Sequence, residues 1–120
     1  MPANNVPTIT IDNYVTSGKL ERLDLIKIDT DGHERAVIAG AMETIRKFRP
    51  VIVFECGQYL LKEKGYSVSD YLDIFTPLGY QLYNLSNNIE LTPLNITSQI
   101  PAFHTTDIVA VPPTISDYWR

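Results

Sequence analysis

The sequence predicts one α/β domain built around two adjacent parallel strands. Two short apolar runs, 25–28 and 51–54, have the length and composition of buried strands. A helical pattern lies between them, so strand, helix and strand form a βαβ unit with a right-handed crossover. A length of 120 residues suits a single domain with a modest core.

Helix-terminus signals place the elements before the second strand. The pattern is helical over 12–17. Asp31 and Glu34 then have the spacing of a capping box, with Asp in place of Ser or Thr. Apolar residues recur at helical spacing from there to Phe48. We therefore expect one continuous helix, with Gly40 inside it where the backbone packs closely.

The second half of the chain reads as an alternation of helices and strands. A short helix is expected over 58–64, and a longer one over 68–78. Residues 80–85 alternate between polar and apolar and predict a strand. The segment 90–103 contains two prolines and is expected to be a long loop, whereas 107–111 predicts the last strand.

Composition excludes several classes of function. The net charge is −4 and the basic residues are scattered, which argues against nucleic-acid binding. No apolar run approaches the ~18 residues that span a bilayer, and the first residues do not resemble a signal peptide. We expect a soluble, cytoplasmic chain that does not bind membranes. The single cysteine, Cys56, lies in an apolar run and is expected to be a buried structural thiol.

Acidic residues follow both predicted strands. Ligands of open α/β sheets bind beyond the carboxyl ends of the strands, so Asp29, Asp31 and Glu55 are candidate catalytic residues. Alternatives remain open for each acid: Asp29 as a turn residue, and Asp31 with Glu34 as a helix cap. His33 is either a base or a solvated first-turn residue.

Glu55 has two further interpretations. Asp29 and Glu55 converge if their strands are adjacent, and two carboxylates can hold Mg²⁺. No third ligand is evident, so we predict no metal site. The favoured alternative is an ion pair between Glu55 and Lys27, because a lysine in a strand covered on both faces needs a counter-charge.

These motifs resemble those of the FkbM-type methyltransferases, which use S-adenosylmethionine and mostly methylate hydroxyl groups of sugars and polyketides. The resemblance spans roughly residues 6–112. It rests on Thr10-Ile11-Asp12-Asn13-Tyr14, on the segment from Leu25 to Glu34, on Gly40-Ala41, on Pro50 through Glu55, and on Val111-Pro112. The family usually has Val-Glu where this chain has Thr30-Asp31.

The resemblance implies a Rossmann-like class I methyltransferase sheet, of which residues 1–120 form a single partial domain from the fourth strand onward. This half has parallel strands and a final antiparallel pair. It also implies that Asp29 approaches the cofactor and that a hydroxyl-bearing small molecule or glycan is the acceptor. The glycine-rich loop of the first half has no counterpart here, since the six glycines never form a G-x-G arrangement.

Two functional hypotheses follow. In the first, the chain is the acceptor-side half of an O-methyltransferase and is inactive alone. In the second, it is a non-catalytic half-domain that self-associates or binds a protein through the exposed edge of the fourth strand. Tyr59, His104 and Trp119 are further candidates for the wall of an acceptor pocket, although such side chains are more often simply packed or exposed.

Overall fold

The computed structural model describes residues 9–30 and 32–115, which form a mixed α/β fold with one five-stranded sheet. The helices are α1 (Ile11–Gly18), α2 (Glu34–Ala39), α3 (Met42–Phe48), α4 (Gln58–Glu63), α5 (Asp70–Phe75) and α6 (Ile96–Gln99). The strands are β1 (Leu25–Ile28), β2 (Val51–Gly57), β3 (Gln81–Asn84), β4 (Ile89–Leu91) and β5 (Thr105–Val111). A short 3-10 turn, Thr76–Leu78, follows α5 and ends at Gly79.

The sheet order is β1-β2-β5-β3-β4. The β1–β2 pair is parallel, as predicted, and the other three pairs are antiparallel. The expectation of parallel strands closed by one antiparallel pair is therefore confirmed only for β1 and β2. The reason is the position of β5. It lies between β2 and β3, so these two strands point the same way without pairing with each other.

The main core lies on one face of the sheet. Alternate strand residues, such as Ile52, Phe54 and Ile108, pack there against helical residues. Phe54 is central: its ring centroid lies 4.7 Å from that of Tyr71 and 6.0 Å from that of Phe75. Burying aromatic side chains together contributes a large share of the hydrophobic stabilisation of a small domain. The opposite face carries a smaller cluster around Tyr83, Val109 and Val111.

The helix that was expected to run without interruption to Phe48 is broken at Gly40 and Ala41 into α2 and α3. Gly40 does not pack on the sheet. A Cβ atom there would lie 3.1 Å from Cβ of Thr10, and the Gly40 carbonyl accepts a hydrogen bond from the Asp12 amide. The break thus provides the docking point for the start of α1.

Asp12 explains why α3 can begin at this break. Its carboxylate accepts hydrogen bonds from the Thr44 amide (2.8 Å), the Thr44 hydroxyl (2.7 Å) and the Glu43 amide (3.2 Å). A carboxylate that accepts hydrogen bonds from first-turn amides caps a helix, and its negative charge interacts favourably with the positive end of the helix dipole. Burial alone would raise the pKa of Asp12, but these hydrogen bonds and the nearby Arg46 lower it overall. Asp12 is a cap supplied by another helix.

The segment 90–103 is more ordered than the long loop that its prolines predict. It contains the end of β4 and the short helix α6. Two amide side chains hold α6: Gln58 donates to the carbonyls of Thr97 (3.0 Å) and Ile100, and Asn84 donates to the Gln99 side chain (3.0 Å). Because these contacts come from the ends of β2 and β3, local sequence patterns could not predict them.

None of the helices in the described ranges is long and apolar enough to cross a membrane.

Candidate functional site

The acids Asp29 and Glu55 lie side by side at one edge of the sheet. Ile28 pairs with Phe54 in the parallel β1–β2 register, so the next residues, Asp29 and Glu55, occupy neighbouring positions. Asp29 is exposed and Glu55 is partly buried. The charge of Asp29 acts on Glu55, which agrees with neighbouring positions; that the two side chains share one site stays a prediction. Asp31, the third candidate, lies outside the described residues.

A third acid, Asp107, extends the pair into a row. In the antiparallel β2–β5 register, Glu55 pairs with Asp107 and Gly57 pairs with Thr105. We call Asp29, Glu55 and Asp107 the acidic row. Sequence reasoning placed Asp107 only at the start of the last strand. Its position beside Glu55 depends on β5 pairing with β2, and no local pattern signals that pairing.

The acidic row changes the protonation of its central member. Partial burial raises the pKa of Glu55, and the negative charges of Asp29 and then Asp107 raise it further. A hydrogen bond with the Thr105 side chain acts in the opposite direction but does not cancel these effects. A carboxylate with a raised pKa is a better proton acceptor near neutral pH than an ordinary glutamate.

Glu34 has a role that the capping-box prediction missed. It is the first residue of α2 rather than its third, and it is 3% exposed. Its carboxylate accepts hydrogen bonds from the amides of Thr30 and Gly32, both at 3.0 Å. Glu34 folds back to hold the loop that follows β1 and so fixes the backbone next to Asp29. The other member of the predicted capping box, Asp31, lies outside the described residues.

The predicted ion pair between Lys27 and Glu55 is also wrong. Lys27 is exposed, because β1 is the edge strand of the sheet. Leu25, on the same face of β1, is likewise 57% exposed. Across the described residues, the ion pairs within 4 Å are Arg22–Asp24, Arg35–Asp70 and Arg46–Glu43. A lysine in solvent needs no counter-charge, so nothing requires the pair.

Two other candidates have clear environments. Cys56 is buried, and burial followed by the Glu34 charge raises the pKa of its thiol to about 12. A thiol of that kind carries almost no thiolate at neutral pH, so the prediction of a structural cysteine is confirmed. His33 is exposed at the start of α2 and makes no side-chain capping hydrogen bond.

A groove of about 370 Å³ lies between α4 and the segment that leads from α6 to β5. We call it the aromatic groove. Its lining residues include Gln58, Tyr59, Lys62, Tyr66, Thr97 and Phe103. Tyr59 thus lines a pocket. His104 is exposed and does not belong to the groove wall, and Trp119 lies outside the described residues.

The described residues contain neither a cluster of metal-ligating side chains nor a glycine-rich loop. Within 9–30 and 32–115, no group of three or more His, Cys, Asp or Glu side chains is arranged to bind a metal ion. The described glycines occur singly. A side chain at Gly32 would contact Leu60, and Gly18 and Gly65 face open space. These residues do not form the glycine-lined cradle that dinucleotide and nucleoside cofactors use.

The chain was also compared with known protein families, curated proteins and solved structures. The family described as "Methyltransferase FkbM domain" matches residues 3–82 of the chain. No curated protein and no solved structure matches the chain. The matched range contains the βαβ unit, Glu34 and both Asp29 and Glu55, and it indicates methyltransferase activity in general terms. The chain belongs to the FkbM methyltransferase domain family.

Proposed function

We propose that this chain is the acceptor-side half of an S-adenosylmethionine-dependent O-methyltransferase. The sheet supports this proposal. β1, β2 and β3 point the same way, and β5 runs antiparallel between β2 and β3. Strands that point the same way on both sides of an antiparallel strand are compatible with the second half of a methyltransferase sheet, which we propose here. The cofactor-binding half would then come from residues beyond these 120, on the same polypeptide or on a partner.

The observation that carries the proposal is the acidic row at the carboxyl edge of adjacent parallel strands. When bound, S-adenosylmethionine supplies an electrophilic methyl group on a positively charged sulfur. Glu55 accepts the proton of the acceptor hydroxyl, and its raised pKa makes it a stronger base than an ordinary glutamate. Asp29, which is exposed beside it, accepts a hydrogen bond from the acceptor and orients it.

Reconstitution tests the proposal. The chain is mixed with a separately expressed first half of an FkbM domain, and S-adenosylmethionine binding is measured by isothermal titration calorimetry. We expect no heat from the chain alone and binding by the mixture. Methyl transfer to glycosides is then followed with labelled cofactor.

Two variants test the assigned roles. Glu55→Gln should abolish methyl transfer and leave cofactor binding unchanged. Asp29→Asn should weaken both, because the resemblance to the family implies that Asp29 also approaches the cofactor. Glu63→Gln, on the exposed end of α4, serves as the control. Full transfer by the Glu55→Gln mixture would contradict the role of Glu55 as the base.

We also propose a second function, self-association through β1. In the part of the chain that the structure describes, β1 has one neighbour in the sheet, and its Leu25 side chain is 57% exposed. An apolar edge strand is a template for pairing with another strand. Sedimentation at micromolar concentration should then give a dimer, and Leu25→Lys should dissociate it. A monomer under these conditions would exclude this function.

A further inference from the structure

A second groove lies in the helical layer of the domain. It runs between the α2–α3 pair on one side and α5 with the 3-10 turn Thr76–Leu78 on the other, and its volume is about 420 Å³. Such a volume is in the range of small-molecule sites. None of the described residues that line it belongs to the acidic row or to the aromatic groove. We call it the helical groove and treat it as a separate site.

The apolar lining of the helical groove is continuous with the main core. Met42, Ile74 and Leu78 line the groove, are partly buried and pack against that core. Ile38, which also lines the groove, is a fully buried member of the core. The Leu78 side is fixed before any ligand binds, because the Arg49 guanidinium donates a hydrogen bond to the Leu78 carbonyl. An aliphatic chain placed here extends the core, and each methylene that it buries strengthens binding.

Arg35, in the wall of the helical groove, has a hydrogen-bond donor without an acceptor. Its Nε is buried, and no atom of the described residues accepts a hydrogen bond from it. Oδ2 of Asp70 lies 3.8 Å from this nitrogen, which is within ion-pair range but beyond hydrogen-bond distance. The guanidinium carbon lies 3.9 Å from the ring centroid of Tyr66, which holds the group in place. A buried donor of this kind is costly, and a ligand oxygen removes the cost.

A second guanidinium and one carboxylate complete the charges that line the helical groove. Arg46 is ion-paired with Glu43 at 2.9 Å, but both side chains are mostly exposed, and exposed pairs contribute little stability. Arg46 is therefore available to a ligand. Asp73 is the one acid among the described lining residues. This set of charges attracts a single negative group and disfavours a second one.

We propose that the helical groove binds an aliphatic monocarboxylate of medium chain length. The chain lies on the apolar lining, the carboxylate accepts hydrogen bonds from the Arg35 guanidinium, and the charge of Arg46 adds to the attraction. Hydrogen bonds between a guanidinium and a carboxylate are among the strong ones in proteins. A hydrophilic anion would leave the apolar lining in water, and an uncharged chain would forgo the ionic contact. The site does not depend on the proposed methyl transfer.

Methyl-selective NMR titration of the 120-residue chain tests this proposal. The probes are hexanoate, octanoate and decanoate below their micelle concentrations, with octan-1-ol and octyltrimethylammonium as the uncharged and cationic comparisons. We expect octanoate to shift the methyl signals of Ile38, Ile74 and Leu78 in a saturable way. Each extension by two methylenes should tighten binding about three- to tenfold, because an open groove buries each methylene in part. Octan-1-ol should bind at least about tenfold more weakly than octanoate, and the cation should not bind.

Two pairs of variants locate the ligand. Ala39→Phe places a ring in the helical groove and should abolish octanoate binding. Ala36→Phe, at an exposed position of α2 that does not line the groove, is its control. Arg35→Gln should weaken octanoate binding at least about tenfold and leave octan-1-ol binding unchanged. Lys47→Gln, which removes an exposed positive charge outside the groove, is the control for this change.

Four results would overturn the proposal: equal affinity for octan-1-ol and octanoate, no saturable shift at Ile38, Ile74 and Leu78, unchanged binding by Ala39→Phe, or an equal loss in Arg35→Gln and Lys47→Gln. The methyl spectrum of each free variant shows whether it is folded. If Arg35→Gln is unfolded, the Ala39→Phe and Ala36→Phe pair and the comparison with octan-1-ol still decide the question.

Discussion

Two carboxylates of this chain, Asp12 and Glu55, have opposite surroundings. Asp12 accepts three hydrogen bonds at the start of α3, and its pKa is lowered. The pKa of Glu55 is raised, first by partial burial and then by the negative charges of Asp29, Asp107 and Glu34. The first arrangement stabilises the ionised carboxylate and the fold, whereas the second opposes ionisation.

The direction of the pKa shift distinguishes a structural acid, Asp12, from a candidate catalytic acid, Glu55, within one domain. Both residues belong to motifs that point to the same family. However, the Thr10–Tyr14 motif has a structural explanation, since Thr10 caps α1 and Asp12 caps α3. Glu34, like Asp12, is a structural acid, because its carboxylate accepts hydrogen bonds from two loop amides. Perturbed carboxylates without amide donors are better candidates for function.

The largest expected effect comes from Glu34→Ala. The change removes the acceptor for the Thr30 and Gly32 amides in a buried position, and the free energy of unfolding should fall by about 2–4 kcal/mol. Urea denaturation measures the loss. Glu63→Ala is the control for removing an exposed glutamate. If Glu34→Ala loses no more unfolding free energy than Glu63→Ala, the two amides form hydrogen bonds with water instead, and Glu34 is not a structural acid of the Asp12 kind.

Asp12→Ala should cost about 1–2 kcal/mol, the usual value of a helix cap. The stabilisation by Asp12 is present above its usual pKa of 3.8 and is lost as the pH falls through its lowered pKa in the folded state. The difference between wild type and variant should therefore shrink at low pH. Thermal denaturation from pH 7 to pH 2.5 tests this, with Asp24→Ala, at an exposed position, as the control.

Glu55→Gln should act in the opposite direction and stabilise the fold at pH 7, by less than about 1 kcal/mol because the side chain is partly exposed. Its raised pKa means that the folded state holds the proton more tightly than the unfolded chain. The cost of ionisation is absent below the usual pKa of 4.5 and develops as the pH rises through the folded pKa. If Glu55→Gln instead lowers the free energy of unfolding at pH 7, Glu55 stabilises the fold as Asp12 does, and the proposed difference between the two acids is wrong.

The smallest effect compares the two neighbours of Glu55. Asp29→Asn and Asp107→Asn should each lower the pKa of Glu55, and Asp29→Asn should lower it more, because its charge has the larger influence. Carbon-detected NMR titration of the glutamate carboxyl groups measures both shifts. An equal pKa in all three proteins would mean that burial alone raises the pKa of Glu55, and the acidic row would have no electrostatic coupling.

The predictions from sequence succeeded where the pattern was local. The strand 25–28 and the helix that follows β2 were predicted from periodicity and from glycine positions. The prediction failed at Gly40, because the cap that allows α3 to begin comes from Asp12, about 30 residues earlier in the chain. It failed at Lys27 because burial on both faces was inferred from composition, although β1 is the first strand in the sheet order.

The sequence by itself determined that Asp29 and Glu55 lie near the carboxyl ends of consecutive strands, since hydrophobic periodicity and helix-stop signals act over a few residues. The prediction that Glu55 follows its strand was wrong, because pairing with β5 extends β2 to Gly57. Only the tertiary structure decided which acids surround Glu55 and which one caps a helix. Pairing of β5 with β2 brings Asp107 and Thr105 to the site, and docking of α1 brings Asp12 to α3. Contacts of that kind join distant parts of the chain. They, rather than the residue type, decide whether the pKa of a carboxyl group is lowered, as in Asp12, or raised, as in Glu55.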